Sequence, residues 1–173
     1  GMVGCSVAAL LARFPGVRVQ LVDADPARAK VAQARGVDFA LPADALGDRD
    51  LAVHASATEQ GLARALELLT PEGTVLELSW YGDRKVSLPL GEAFHSRRLV
   101  IRSSQVGTVS PARRAGRTYA DRLALALELL ADPALDILVT GESAFEELPD
   151  VMPRLASGEI PALCHRVRYA DTA

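Results

Sequence analysis

Apolar positions along this chain switch between a helical period and strand-like runs, and the switches mark out its elements. Val3, Val7, Leu10, Leu11 and Phe14 fall at helical spacing, so the pattern predicts an amphipathic helix over residues 3–14, ended by Pro15-Gly16. Val17, Val19, Leu21 and Val22 then read as a strand ending at Asp23. Asp25-Pro26 is a strong helix start, a capping carboxylate followed by proline at the first helical position, and that helix runs through Ala32 to a stop at Gly36. Val37 to Leu41 and Leu51 to Ala55 are short strands. Ser56-x-x-Glu59 fits a capping box for a helix carrying Leu62, Leu66 and Leu69. Pro71-Glu72-Gly73 reads as a turn into the strand Thr74–Leu78. Strands alternating with helices of about ten residues predict an α/β fold, a doubly wound parallel sheet of Rossmann-like type.

The second half changes character. Leu99-Val100-Ile101 is a further strand, and Ser110-Pro111 opens a long helical pattern through Tyr119, Leu123, Leu127 and Leu130, closed by Asp132-Pro133. Ile137-Leu138-Val139 is short and apolar. Phe145 to Leu155 reads as a helix ending at Gly158, with Pro153 expected to kink or shorten it, and Leu163 to Tyr169 as a final strand. The expected organisation is a nucleotide-binding domain over residues 1–132, followed by a short α+β segment over residues 133–173.

One motif gives this layout a chemistry. Gly1-Met2-Val3-Gly4 reads as the back half of a G-x-G-x-x-G dinucleotide fingerprint, with its first glycine and preceding strand missing, and Asp23 lies nineteen positions after Gly4. Glycines there let backbone N–H groups approach a pyrophosphate at a helix N-terminus, and an acid about 20 positions on accepts ribose hydroxyls. A carboxylate at that point repels a 2′-phosphate, so it favours NAD over NADP. Arg28, one turn further on, is within reach of the same ribose or the adenine edge.

Composition narrows the picture. A net charge of −3 from 19 basic and 22 acidic residues offers no field for nucleic acid. No apolar run reaches membrane-spanning length, and no signal peptide is read ahead of the first helix, so no membrane partner is expected. Two cysteines, Cys5 and Cys164, are too few for a disulfide scaffold, and the default is a reduced, cytoplasmic protein. With His54, His95 and His165 they show no metal-ligand spacing, so no metal residue is assigned. Glu77 inside an apolar strand has no evident purpose. The front half alone suits an S-adenosylmethionine-dependent methyltransferase or a non-catalytic nucleotide-binding module as well as a dehydrogenase.

Read end to end, the sequence resembles the C-terminal half of medium-chain, zinc-type alcohol dehydrogenases. The resemblance rests on Gly1-Met2-Val3-Gly4, Asp23-Ala24-Asp25-Pro26-x-Arg28, Val53-His54-Ala55-Ser56 and Pro71-Glu72-Gly73-Thr74-Val75. It continues through Leu78-Ser79-Trp80-Tyr81-Gly82, Arg98 to Ser104, and Phe145-x-x-Leu148 through Leu155-x-x-Gly158. It implies an NAD-dependent oxidoreductase moving a hydride between a small alcohol and a carbonyl. The zinc and its ligands would lie in an N-terminal half absent here, so no catalytic residue is assigned and the fragment alone is expected to be inactive. Carried over by position, Gly1, Met2, Val3 and Gly4 would meet the pyrophosphate, and Asp23 with Arg28 the adenosine ribose. Ser56-Ala57 would line the passage beside the cofactor, while the backbone of Leu78, Ser79 and Trp80 and of Ser103, Ser104 and Gln105 would hold the nicotinamide carboxamide. Trp80 and Tyr81 read equally well as a packed strand end. In the resembled family Leu99 to Gln105 lies near a dimerising sheet edge, which leaves a homo-oligomer open. Residues 133–173 would return to the missing catalytic domain.

Overall fold

The structure, a computed structural model, describes residues 1–91 and 93–170. Helix α1 (Met2–Leu11) turns Cys5, Ala8 and Ala9 inward. It stops short of the expected end because Phe14 lies out in solvent, 60% exposed, and gives no burial to extend it. Strand β1 is only Gln20–Val22, since Val17 is also exposed. Asp25 caps the next turn as expected, its Oδ1 accepting from Ala27 N at 2.9 Å. That turn is a 3-10 segment, Pro26–Arg28, which leads into α2 (Ala29–Ala34) and β2 (Asp38–Ala40).

Strand β3 (Arg49–His54), helix α3 (Glu59–Glu67), strand β4 (Leu69–Glu77), the short helix α4 (Ala93–Ser96) and strand β5 (Val100–Ser103) complete the main sheet. Every pairing is parallel: β1 with β2, then β3-β4-β5 in order. β1 and β3 are not hydrogen-bonded neighbours, and the interruption falls where a doubly wound dinucleotide-binding sheet carries its central first strand. The α/β expectation, with that first strand lacking, therefore holds. Helix α5 (Tyr119–Leu130), a 3-10 turn (Pro133–Leu138), strand β6 (Gly141–Ala144), helix α6 (Leu148–Ser157) and strand β7 (His165–Arg168) follow, with β6 parallel to β7.

The sheet pieces sit on separate cores. Cys5, Ala8, Ala9, Leu21, Val31 and Ala32 form one, which Leu135 and Leu138 join from the 3-10 turn. Leu62, Leu66, Leu69, Val75 and Leu99 form another under the main sheet.

Several local expectations change. The cap of α3 is Thr58, whose hydroxyl accepts from Gly61 N, so the Ser56-x-x-Glu59 box does not form and Glu59 instead receives Ser87 N–H. Leu69 opens β4 and does not close α3. Pro71-Glu72-Gly73 is a bulge within β4: pairing jumps from Arg49↔Leu69 to Leu51↔Thr74, and Glu72 takes a φ of 66°. Ser110-Pro111 starts only turns; the helix begins after Thr118, which shares a capping box with Asp121. Residues 145–147 form a 3-10 turn before α6, whose interior does include Pro153, and Gly158 ends it in the left-handed region at φ 78°.

Gly73 shows how tight the bulge is. A Cβ there would stand 2.9 Å from Leu69 Cβ and 2.9 Å from the Thr70 carbonyl oxygen. Gly73→Ala is expected to cost about 1–3 kcal/mol through overpacking, read as a lower urea midpoint with unchanged slope.

Candidate functional site

Two groups of residues gather where strands end. The first joins α1 to β1. Gly1 is the N-cap residue of α1, and the terminal ammonium it carries in this chain pairs with Asp23 Oδ2 at 2.6 Å. Asp23 Oδ1 accepts from Asp25 N at 2.9 Å. Burial pushes the Asp23 carboxyl up, but the Gly1 and Asp25 hydrogen bonds and the Arg28 charge outweigh it and hold the group below its ordinary value. Arg28 pairs through Nη2 with Asp25 Oδ2 at 3.1 Å, while its Nε is buried without a partner among the described residues. An ionised carboxylate beside a helix N-terminus, with an unpartnered guanidinium nitrogen nearby, is a place for a ligand carrying both acceptors and hydroxyls. Gly1, Met2, Val3, Gly4, Asp23 and Arg28 are thus brought to one corner. Cys5 beneath them is a core residue whose thiol burial pushes up.

The second group occupies the carboxyl ends of β3, β4 and β5. Leu78 N donates to the His54 carbonyl at 2.9 Å and Ser104 N to the Glu77 carbonyl at 2.8 Å, lacing the three ends together. Ser56, Leu78, Ser79, Ser103 and Ser104 lie along this edge. Trp80 is 86% exposed and Tyr81 is the packed aromatic, so only one of the two is a packed strand end.

At the centre of the second group is a chain of side chains that sequence reasoning did not assemble. His54, 5% exposed, is the register partner of Glu77. Its Nδ1 meets Glu77 Oε2 at 2.7 Å and Oε1 at 2.9 Å. Ser79 N donates to Oε1 at 2.7 Å, and Tyr81 Oη donates to Oε2 at 3.2 Å. On the other side, His54 Nε2 meets Ser56 Oγ at 2.7 Å, and Ser56 Oγ meets Thr58 Oγ1 at 2.9 Å. Burial raises the Glu77 carboxyl, but hydrogen bonds from Ser79 and His54 overcome it and hold the carboxyl below its ordinary value. Tyr81 is pushed up to about 12 by burial and by the Glu77 charge, and stays a donor. The available signal was Glu77 itself: a carboxylate in an apolar run requires a partner, and His54 ends the strand next to it.

A cleft of about 260 Å³ opens beside this network, lined in part by Ala57, Thr58, Tyr81, Arg84 and Val86. A second, about 490 Å³, lies by Pro42, Arg64 and Glu67. Asp23 lines neither of them. Among the described residues no group of three or more His, Cys, Asp or Glu is arranged to hold a metal ion. No described helix is long and apolar enough to cross a membrane.

No protein-family model matches the sequence, and no curated protein matches it. Solved structures do match its fold. L-idonate 5-dehydrogenase from Escherichia coli superposes with a TM-score of 0.76 at 16% identity, over 96% of this chain and 47% of that one. A short chain alcohol dehydrogenase (rspB) from E. coli CFT073, complexed with NADH, gives 0.69 at 15% identity, over 96% and 49%. The yhdH oxidoreductase from Salmonella enterica, in complex with NADP, gives 0.66 at 17% identity, over 92% and 49%. The chain spans about half the length of the structures it matches. Its fold is that of the Rossmann-like half of the zinc-type alcohol dehydrogenases.

Proposed function

We propose that this chain is the cofactor-binding half of an NAD-dependent alcohol dehydrogenase of the medium-chain, zinc-type class, acting on a small alcohol or carbonyl substrate. The observation that carries the reading is the likeness of the fold to dehydrogenase structures complexed with NADH and NADP, with Asp23 just past β1 and beside Gly1, the N-cap residue of α1. Diphosphate and ribose of one dinucleotide need that pairing of helix N-terminus and acid. In this reading Gly1, Met2, Val3 and Gly4 face the pyrophosphate. Asp23 accepts the ribose hydroxyls, Arg28 lies beside the same sugar, and the edge formed by Ser56, Leu78 to Trp80, Ser103 and Ser104 receives the nicotinamide end. NAD supplies the hydride acceptor; this chain's residues orient it and exclude the 2′-phosphate of NADP. Zinc and the catalytic groups belong to the part of a longer enzyme outside these residues, to which residues 133–173 return from the nucleotide-binding unit 1–132. The setting is cytoplasmic, and the β5 edge is where copies would associate.

Asp23→Ala tests the assignment. Removing hydrogen bonds to a charged acceptor worth about 1.5–3 kcal/mol each is expected to weaken NAD binding roughly tenfold or more and to narrow the preference over NADP. Titration calorimetry with both nucleotides reads this, and unchanged affinity for both would remove Asp23 from the site.

A further inference from the structure

The Ser56–His54–Glu77 chain has more chemistry in it than a dinucleotide edge requires. Hydrogen-bond direction can be followed along it. Glu77, ionised, only accepts, so the shared proton sits on His54 Nδ1 and, in the neutral ring, Nε2 is the acceptor. Ser56 then donates its hydroxyl proton to Nε2 at 2.7 Å. Gly61 N donates to Thr58 Oγ1 at 3.1 Å, which leaves the Thr58 hydroxyl to donate to Ser56 Oγ. Thr58 thus donates to a hydroxyl whose own proton is directed at a base, and that base is oriented by a carboxylate. This is the order of a nucleophile–base–acid triad, with both links in hydrogen-bond reach.

The surroundings suit the same chemistry. Ser56 is an exposed residue at the end of β3, while His54 behind it is buried, so the base is shielded. The next residue, Ala57, takes a left-handed φ of 53°, a strained corner between β3 and α3 of the kind that marks functional turns. Ser56 Oγ lies under the first turn of α3: a Cβ on Gly61 would stand 2.3 Å from it and 2.9 Å from His54 Nε2. The backbone N–H groups of Glu59 and Gln60, which open that helix, lack intrahelical acceptors. The 260 Å³ cleft is lined by Ala57 and Thr58, the two residues that follow Ser56.

We propose that Ser56 is a nucleophile, activated by His54, that hydrolyses small acyl esters through an acyl-enzyme. Ser56 Oγ attacks the ester carbonyl as its proton passes to His54 Nε2. The ester C–O bond breaks, and the alcohol leaves with that proton. Water then gives a proton to Nε2 as its oxygen attacks the acyl carbon, and Ser56 Oγ departs with that proton, releasing the carboxylic acid. Glu77 is a positioning residue, holding the ring in the tautomer the step needs. The inference does not rest on nucleotide binding.

The test uses the full 173-residue chain without nucleotide. A fluorophosphonate is expected to add one adduct, mapped by mass spectrometry to Ser56, and 4-nitrophenyl acetate to be hydrolysed with an initial burst. Ser56→Ala abolishes both. Glu77→Gln lowers kcat about a hundredfold, because His54 loses the tautomer and orientation its role as base needs, with KM unchanged, and Glu77→Asp recovers part of it. An adduct on another residue, no adduct on the parent chain, or a Glu77→Gln loss that only follows the folded fraction overturns the proposal. Mapping on the parent chain needs no variant to fold.

Discussion

Glu77→Leu is expected to lower the unfolding free energy by about 3 kcal/mol at pH 7. The substitution leaves the buried His54 Nδ1, the Ser79 N–H and the Tyr81 hydroxyl without their shared acceptor. A polar group left without its acceptor costs about 1–3 kcal/mol; Ser79 and Tyr81 are half-buried and His54 Nδ1 keeps the Ser79 hydroxyl at 3.3 Å, which holds the sum near the figure for one to two such groups. Acid should narrow the difference between parent and variant, because a protonated carboxyl accepts these hydrogen bonds more weakly than a carboxylate. Glu77 has its folded pKa depressed below the ordinary 4.5, so its contribution is complete above the unfolded value and disappears as pH falls through the folded one. Asp23 is depressed as well and loses stability in the same acid range. The gap between parent and variant, and not the parent's curve alone, therefore isolates Glu77. Urea unfolding at pH 7, 5, 4 and 3 checks it: the gap should be widest at neutrality and narrow below about 4.5. A gap that stays constant across that range would mean the carboxylate's charge is not what the network uses.

Leu69→Ala is expected to be at least as damaging, at about 3–4 kcal/mol. Leu69 has no exposed surface, and it packs in the core that contains Leu62, Leu66, Val75 and Leu99. It opens β4, whose far end carries Glu77, and its Cβ lies against the Gly73 bulge. A void there is not easily refilled, because the strand on one side is pinned by its pairing with β3 and β5. Against typical domain stabilities of about 5–15 kcal/mol that loss moves the urea midpoint visibly. Leu127→Ala on α5, where the side chain is 61% exposed, should change stability by less than about 0.5 kcal/mol. Equal losses at the two leucines would contradict the division between the packed sheet and this open helix.

Much of the α/β alternation was legible because each cue acts over a few residues. Asp25-Pro26 caps its turn as read, since an aspartate accepting the N–H two residues on needs nothing from the rest of the chain. Gly158 ends α6 for a similarly local reason, its left-handed backbone. Asp23 sits against the start of α1 because a strand that ends at an acid, after a helix of that length, returns it to the helix's amino end.

What the linear pattern misassigned depended on neighbours distant in sequence. Ser56 and Thr58 are both acceptable caps; Thr58 prevails because Ser56 Oγ is drawn to His54 Nε2. Pro71-Glu72-Gly73 resembles any turn until β3 pairs on both sides of it and makes it a bulge. The helix after Ser110 begins only at Thr118, where a capping box with Asp121 closes its amino end. By itself the amino-acid order determined the parallel α/β class and the corner of Asp23 with α1, since helix periods, caps and turn residues are short-range effects. Tertiary structure alone decided that His54 and Glu77 share a proton beneath an exposed serine, because strand register, which sets one residue opposite another, is chosen by the packing of whole strands and not by any segment of sequence.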